Sequence, residues 1–375
     1  MCREYFDKQF GKLEDSRYQN FVDHKLTDVL IMVMCGIFCG LDELQDIAMY
    51  SKSNIAFFTE HFGINKAPSK STLTRVMNMV NGEEVAGIII NMMRETLGVQ
   101  GDVVAFDGKT IRTTAKGNRE KLHIITAYLT QNGVVLGQEA VSEKTNEIPV
   151  VQEMLKHIDI NGKVVTADAM HCQKDTANLI QKGGGDYILG LKGNQPTLHG
   201  EVSLYLDDCI SSKEINVETA KTIEKNGGRI ETRICYKSPS LEWFEDRNDW
   251  AGLNCAFAID RITETPAGTS VERSYYISSL DYAADDLLRL TREHWKIESM
   301  HYQLDVSFSE DACRILSPNG QKTFNIFRKL ALALHKAYVS SLAKKTKPSI
   351  KSNMFQALLS GPLLLEVTGL RFTNS

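Results

Sequence analysis

The chain has 375 residues, 42% hydrophobic and 24% charged, which suits an ordinary soluble globular protein of two or three structural units and excludes a small stapled scaffold or a disordered tract. A net charge of −4 gives no global signature of a polyanionic partner. The eight scattered cysteines lack any C-x-x-C pair, which argues against a disulfide framework or a zinc site and for a reducing cytoplasm.

The first residues, Met1 to Asp7, lack the basic-then-apolar order of a secretory signal. The apolar run Val29 to Gly40 is too short to span a bilayer, so it is expected as a buried core helix and no membrane partner is expected. Residues 1–96 read as all-helical: Leu26, Val29, Leu30, Val33 and Ile37 recur at helical spacing, as do apolar positions from Ile88 to Leu97. Pro68 to Val76 reads as a capped helix start whose hydroxyls and bases resemble the second helix of a helix-turn-helix; an ordinary capped helix has the same look. From Asp102 the period changes. Strands are expected at Val103–Phe106, His123–Thr130 and Val134–Val141, the last two joined by the hairpin signal Gln131-Asn132-Gly133. A helix at Ile148–Ile158, a strand at Lys163–Ala167, a helix at Gln173–Lys182 and a strand at Tyr187–Leu191 follow. Three hairpin-linked strands and then strands separated by helices is the order of the ribonuclease H-like fold, although order fixes neither pairing nor sheet position. Residues 200 to about 272 read as a mainly β insertion with no helical period. Tyr275–Leu280 returns to strand character, and long helices are expected at Ala283–Leu304 and at about Gln321–Leu342. Between Ala312 and Lys351 the chain has Arg314, Lys322, Arg328, Lys329, Lys336, Lys344, Lys345, Lys347 and Lys351 and no acid, which suits either a phosphate-binding segment or a solvated helix face balanced by acids elsewhere.

The chemistry gathers at three carboxylates. Asp107 leaves the apolar run Val103-Val104-Ala105-Phe106, and Asp168 leaves Lys163-Val164-Val165-Thr166-Ala167 in the same manner. A lone aspartate at a strand end is as often a turn or capping residue; two of them suggest a shared metal. On the long helix, His294, Glu298, His301 and Asp305 share one stripe beside the apolar Leu287, Leu290, Ile297 and Leu304. With Asp107 bridging two divalent ions and Asp168 and Glu298 each holding one side, the set would form a two-metal phosphoryl-transfer centre, its ions about 3.5–4 Å apart. All-carboxylate ligation suits Mg2+ or Mn2+. His294 and His301 stand too far apart in sequence, with no third ligand near, for a zinc pair. Gly108-Lys109-Thr110 ends like a phosphate loop, but Val103 stands where its first glycine belongs, which discards a nucleoside triphosphatase.

Six segments then resemble a known family: Asp107-Gly108-Lys109-Thr110-Ile111-Arg112, Ser142-Glu143-Lys144-Thr145-Asn146-Glu147-Ile148, Thr166-Ala167-Asp168-Ala169-Met170-His171-Cys172-Gln173, Gly184-Gly185-Asp186-Tyr187, Leu191-Lys192-Gly193-Asn194-Gln195 and His294-Trp295-Lys296-Ile297-Glu298. Together, and in this order, they resemble the H-repeat-associated proteins among the ISAs-type insertion-sequence transposases of the DDE class, from about Asp23 to the helix after Arg314. The resemblance implies an α/β chain. A helical transposase-associated, DNA-binding domain (1–96) would precede a ribonuclease H-like catalytic domain (97–345) with its β-rich insertion, and a tail (346–375) would follow. It implies a bacterial DNA transposase that uses two Mg2+ or Mn2+ ions to cut strands at the element's ends and attacks target DNA with the freed 3′-hydroxyl. Asp107, Asp168 and Glu298 would be the catalytic and metal-binding carboxylates, and double-stranded DNA (terminal repeats and target) the partner. A homodimer on DNA and a cytoplasmic, nucleoid-associated location are also implied. Lys109, Arg112, Lys192, Asn194, Arg229, Arg233, His294, His301 and Arg314 are the candidate DNA contacts.

The sequence departs from the pattern at several points. His294 and Asp305 stand where related transposases often have Arg and Lys, and Ser299 and Tyr302 replace a common Asn and Trp. A His-Gly-Arg-x-Glu-x-Arg segment appears as Gly227-Gly228-Arg229-Ile230-Glu231-Thr232-Arg233, without its histidine. The ending Gly361 to Val367 matches no family feature. An immobile or catalytically silent DNA-binding remnant, and a non-transposing nuclease on the same fold, remain open alternatives.

Overall fold

The computed structural model describes residues 3–111, 122–141, 147–212, 217–343 and 347–369. Helical spacing before residue 98 gives α1 (Arg3–Phe10), α2 (Leu26–Phe38), α3 (Leu44–Ser53), α4 (Ile55–Phe62), α5 (Lys70–Met79) and α6 (Gly82–Leu97). α2 is buried on every side, as its unbroken apolar run requires. α5 opens where the Ser69 hydroxyl accepts the Thr72 amide, and α6 where the Asn81 side chain accepts those of Glu83 and Glu84.

The β-branched runs then give β1 (Val103–Thr110), β2 (His123–Leu129), β3 (Val134–Val141), β4 (Val164–Ala167) and β5 (Asp186–Leu191), with α7 (Glu147–His157) before β4 and α8 (Lys174–Lys182) before β5. β1 extends past the expected Phe106 to Thr110, so Asp107 lies within the strand, held by its pairing to Thr126 of β2. β1 runs antiparallel to β2, and β2 to β3, while β4 pairs parallel with both β1 and β5.

The expected insertion differs from its reading at its start. Its first part is a helix, α9 (Pro196–Ser211), which buries Leu198, Val202, Leu206 and Cys209 at helical spacing behind a proline in its first turn. Its strands β6 (Glu218–Asn226), β7 (Arg229–Lys237), β8 (Cys255–Thr265) and β9 (Gly268–Ser278) do not form a separate layer. β9 pairs antiparallel with β5, so a sheet of nine strands among the described residues runs in the order β3-β2-β1-β4-β5-β9-β8-β7-β6. Tyr275 to Ser278 is therefore the end of β9.

α10 (Ala284–Phe308) crosses this sheet against β1, β4, β6 and β7. α11 (Pro318–Ser341) packs against α2, α5 and α6 and also against β3, so one continuous apolar core joins the amino-terminal helices to the sheet. After α11 come α12 (Ile350–Leu359) and α13 (Gly361–Thr368), both packed on α11. His335 of α11, fully buried, lies 2.9 Å by Nε2 from the Phe38 carbonyl of α2 and 2.8 Å by Nδ1 from the Asn353 amide of α12.

The basic segment fits neither of its two expected readings throughout. Arg328 and Lys329 are buried in α11, where the Lys329 ammonium donates to Thr126 Oγ1 (2.8 Å) and Gln138 Oε1 (3.0 Å). Lys322 and Arg314 pair with Glu83 and Glu43 of the helical region. Lys344 and Lys345 lie outside the described residues. The seven described cysteines are free and buried. No helix among the described residues is long and apolar enough to cross a membrane.

Candidate active site

The parallel register of β1 and β4 ends at Phe106↔Ala167, so the next residue on each strand is an aspartate and the two stand abreast where the pairing stops. The preceding residues Val103 to Phe106 and Val164 to Ala167 are buried, which makes the aspartates the first side chains on either strand to reach solvent. The Asp107 side chain is 19% exposed and that of Asp168 61%.

α10 supplies the rest. Its polar stripe faces both aspartates: His301 Nδ1 lies 3.1 Å from Asp107 Oδ2, and His294 Nε2 lies 3.6 Å from Asp168 Oδ1, a charge contact too long for a hydrogen bond. His294 is turned by its Nδ1 contact with Thr166 Oγ1 (3.1 Å), on the strand that carries Asp168. Asp107 Oδ1 accepts the Gly108 amide at 2.8 Å. Glu298 sits on the same stripe between the two histidines. Burial pushes its carboxyl above the usual range, and the charges of Asp107 and Asp168 push the same way against the lowering effect of His294 and His301. Asp168 is held below the usual range, chiefly by the His294 imidazole with help from Lys192 and His171. Glu298 thus feels the charge of both aspartates across the end of the sheet.

The other candidate residues divide. Lys192 is exposed near Asp168, and the Asn194 side chain donates to the Ala169 carbonyl at 2.7 Å, fixing the turn that follows Asp168. Lys109 turns inward, where its ammonium meets Asp305 Oδ1 (2.5 Å) and the fully buried Glu310 Oε2 (2.7 Å) and so ties β1 to the last turn of α10 and to the turn that follows it. Arg229 and Arg233 converge on Glu231 with Arg261. The Arg233 and Arg261 guanidinium carbons lie 5.1 and 4.7 Å from the Trp295 ring centroid, a cation–π stack that fastens the insertion to α10 one residue from His294. Arg314 is 80% exposed and pairs with Glu43 at 3.1 Å, away from the carboxylates. It lines a cavity of about 1010 Å³ between the helical region and the sheet, with Lys70, Thr74 and Asn78 of α5. Arg112 and the Ser142–Asn146 segment lie outside the described residues. Trp295 and Arg261 carry structural weight that the sequence reading did not assign them; the aromatic next to His294 in sequence was the available signal.

Three carboxylates around one solvent-facing point, two of them raising the proton affinity of the third, form a donor set whose chemistry fits a hard divalent cation. As they stand, with a histidine against each aspartate, no three His, Cys, Asp or Glu among the described residues are gathered at ligand distance.

Residues 99–334 match the family described as "Transposase DDE domain", and residues 8–93 match its associated amino-terminal region. The chain belongs to the DDE transposase family. Its relatives include the H repeat-associated YhhI of Escherichia coli K12, 32% identical over 368 residues that cover 93% of this chain and 96% of the relative. They also include YncI of Escherichia coli O157:H7, 34% identical over 340 residues, 86% of this chain and 85% of the relative. Both relatives are named as transposases, by assignment rather than by demonstrated activity. Among solved structures, the cryo-EM synaptic complex of piggyBac transposase with hairpin DNA aligns with a TM-score of 0.44 and 9% identity, over 100% of this chain and 79% of that one, a likeness too slight to argue from.

Proposed function

We propose that this DDE family member is the DNA transposase of a bacterial insertion sequence, with Asp107, Asp168 and Glu298 as its catalytic carboxylates on a ribonuclease H-like core. The observation that carries the reading is the register of β1 and β4, which sets Asp107 and Asp168 abreast opposite the Glu298 stripe. The core assignment is supported by the order β3-β2-β1-β4-β5, with its antiparallel first three strands and its parallel β1, β4 and β5.

Asp107, Asp168 and Glu298 would hold Mg2+ or Mn2+, two ions in this reading, which when bound supply charge stabilisation for phosphoryl transfer. The chain's own part is positioning. His301 and His294 stand against the two aspartates, each with a buried Nε2 that has no hydrogen-bond partner and that would be available to a DNA phosphate brought to the site. Lys109 and Asp305 keep α10 at a fixed height over β1. Lys192, exposed beside Asp168, is placed to contact a DNA phosphate. Double-stranded DNA, as element ends and as target, is the proposed partner, bound by a homodimer.

A joining assay tests this. Purified protein, Mg2+ and a duplex with the element's terminal repeats should give nicked ends and then products joined to target DNA. Simple nicks without joined products would favour a nuclease, and repeat binding without any cleavage in Mg2+ or Mn2+ would overturn the reading.

A further inference from the structure

Behind Asp107 and Asp168, on the face of the sheet away from α10, stand three buried polar side chains that the site above does not use. Successive strand residues point to opposite faces: Asp107 meets α10, whereas a Cβ on Gly108 would lie 2.4 Å from His123 Nε2 and 2.8 Å from Glu147 Oε2. Only glycine there lets this pair close against β1 one residue past the carboxylate. His123, at the start of β2, is turned by the 2.8 Å contact of its Nδ1 with Thr110 Oγ1, and its Nε2 stands 3.0 Å from Glu147 Oε1. Glu147 opens α7, where the helix dipole favours a carboxylate. Its other oxygen faces His171 Nε2 at 3.9 Å. His171 is 1% exposed, with a buried Nδ1 lacking any hydrogen-bond partner, and its backbone amide donates to the Asp168 carbonyl at 2.9 Å. Two further side chains grip the same turn: Asn194 through the Ala169 carbonyl (2.7 Å) and Gln195 through the Cys172 carbonyl (3.0 Å).

Glu147 therefore spans two strand ends. Through His123 and the Gly108 gap it rests on the strand of Asp107, and through His171 it rests on the turn of Asp168. We propose that Glu147, with His123 and His171, is a positioning residue that sets the separation of Asp107 and Asp168 from behind and so their ability to share a divalent cation. This rests on the function proposed above. It gives a role to Glu147 in the second recognised sequence segment and to His171 in the third, beyond the carboxylate that segment supplies. A carboxylate between two imidazoles and almost closed to water is costly to bury without partners; two strand ends must stay in register to keep those imidazoles beside it.

The test is calorimetric titration of Mn2+ into the full chain without DNA, comparing the wild type with Glu147→Gln, His171→Gln, Asp107→Asn and His335→Gln, each shown to be folded by circular dichroism. His335→Gln disturbs a buried contact remote from the site and controls for lost stability. The brace predicts that Glu147→Gln weakens Mn2+ binding by about 10–100-fold, the cost typical of residues that orient metal ligands, while His335→Gln binds as the wild type does. Should Glu147→Gln fail to fold, His171→Gln carries the same expectation. If Asp107→Asn abolishes binding but Glu147→Gln and His171→Gln bind as tightly as the wild type, or if His335→Gln weakens binding equally, the brace is wrong and the carboxylate site stands. A wild type that binds no Mn2+, or an Asp107→Asn variant that binds it unchanged, overturns the proposed function and the brace with it.

Discussion

Asp107 and Gly108 are adjacent in sequence and do opposite things: one presents a charge to α10, the other leaves room for a buried pair on the far face. Gly108→Ala puts a methyl group into the space of His123, which Thr110 and Glu147 already box in. It should cost about 1–3 kcal/mol, the usual range for overpacking a filled site, read as a lowered urea midpoint at unchanged slope; an unshifted midpoint would show that His123 moves freely. The aspartates were legible because an acid at the end of a β-branched run breaks the pattern. The inward turn of Lys109 was not, since its partners Asp305 and Glu310 follow it by 196 and 201 residues. Lys329 was misread for the same reason: a basic residue in an acid-free stretch looks solvated until the fold brings Thr126 and Gln138 to it.

At the scale of elements, α11 was placed to within a few residues by its apolar period, but what it holds together was not visible. His335 links it to α2 and α12 from a fully buried position, and burial pushes its imidazole down to about 4. An unfolded histidine titrates near pH 6.5, at about 6.5. Above that pH both states are neutral and the contribution is fully present; as pH falls toward 4 only the unfolded chain takes up the proton, so stability is lost across that window. The loss should reach about 3 kcal/mol. Urea melts of the wild type minus those of His335→Gln should show this slope between pH 6.5 and 4, and parallel curves would remove His335 as its source. α9 escaped the sequence reading although its buried positions have helical spacing, because a proline opens it and polar residues surround it. α12 and α13 escaped because nothing in Ile350 to Thr368 tells that α11 offers them a surface.

At the scale of the molecule, the alternation of strands and helices was legible and the pairing was not. Nothing local told that β9 would extend the sheet from β5, or that β1 and β4 would end level. α11 belongs to the amino-terminal helices as much as to the sheet, so a fragment beginning at residue 97 would leave α11 stripped of α2, α5 and α6. Such a fragment should aggregate or melt without cooperativity, whereas a sharp thermal transition in it would mean that the sheet folds alone. The central claim is that Asp107, Asp168 and Glu298 act as one site, and groups that act as a unit are far from additive when removed. The most direct measurement is the Mg2+-dependent nicking rate of terminal-repeat DNA for Asp107→Asn, Asp168→Asn, Glu298→Gln and the triple variant. Each single change should lower the rate by about ten-thousandfold or more, with the triple variant no slower than the singles. A single variant that keeps wild-type nicking, or losses that simply multiply, would contradict the account.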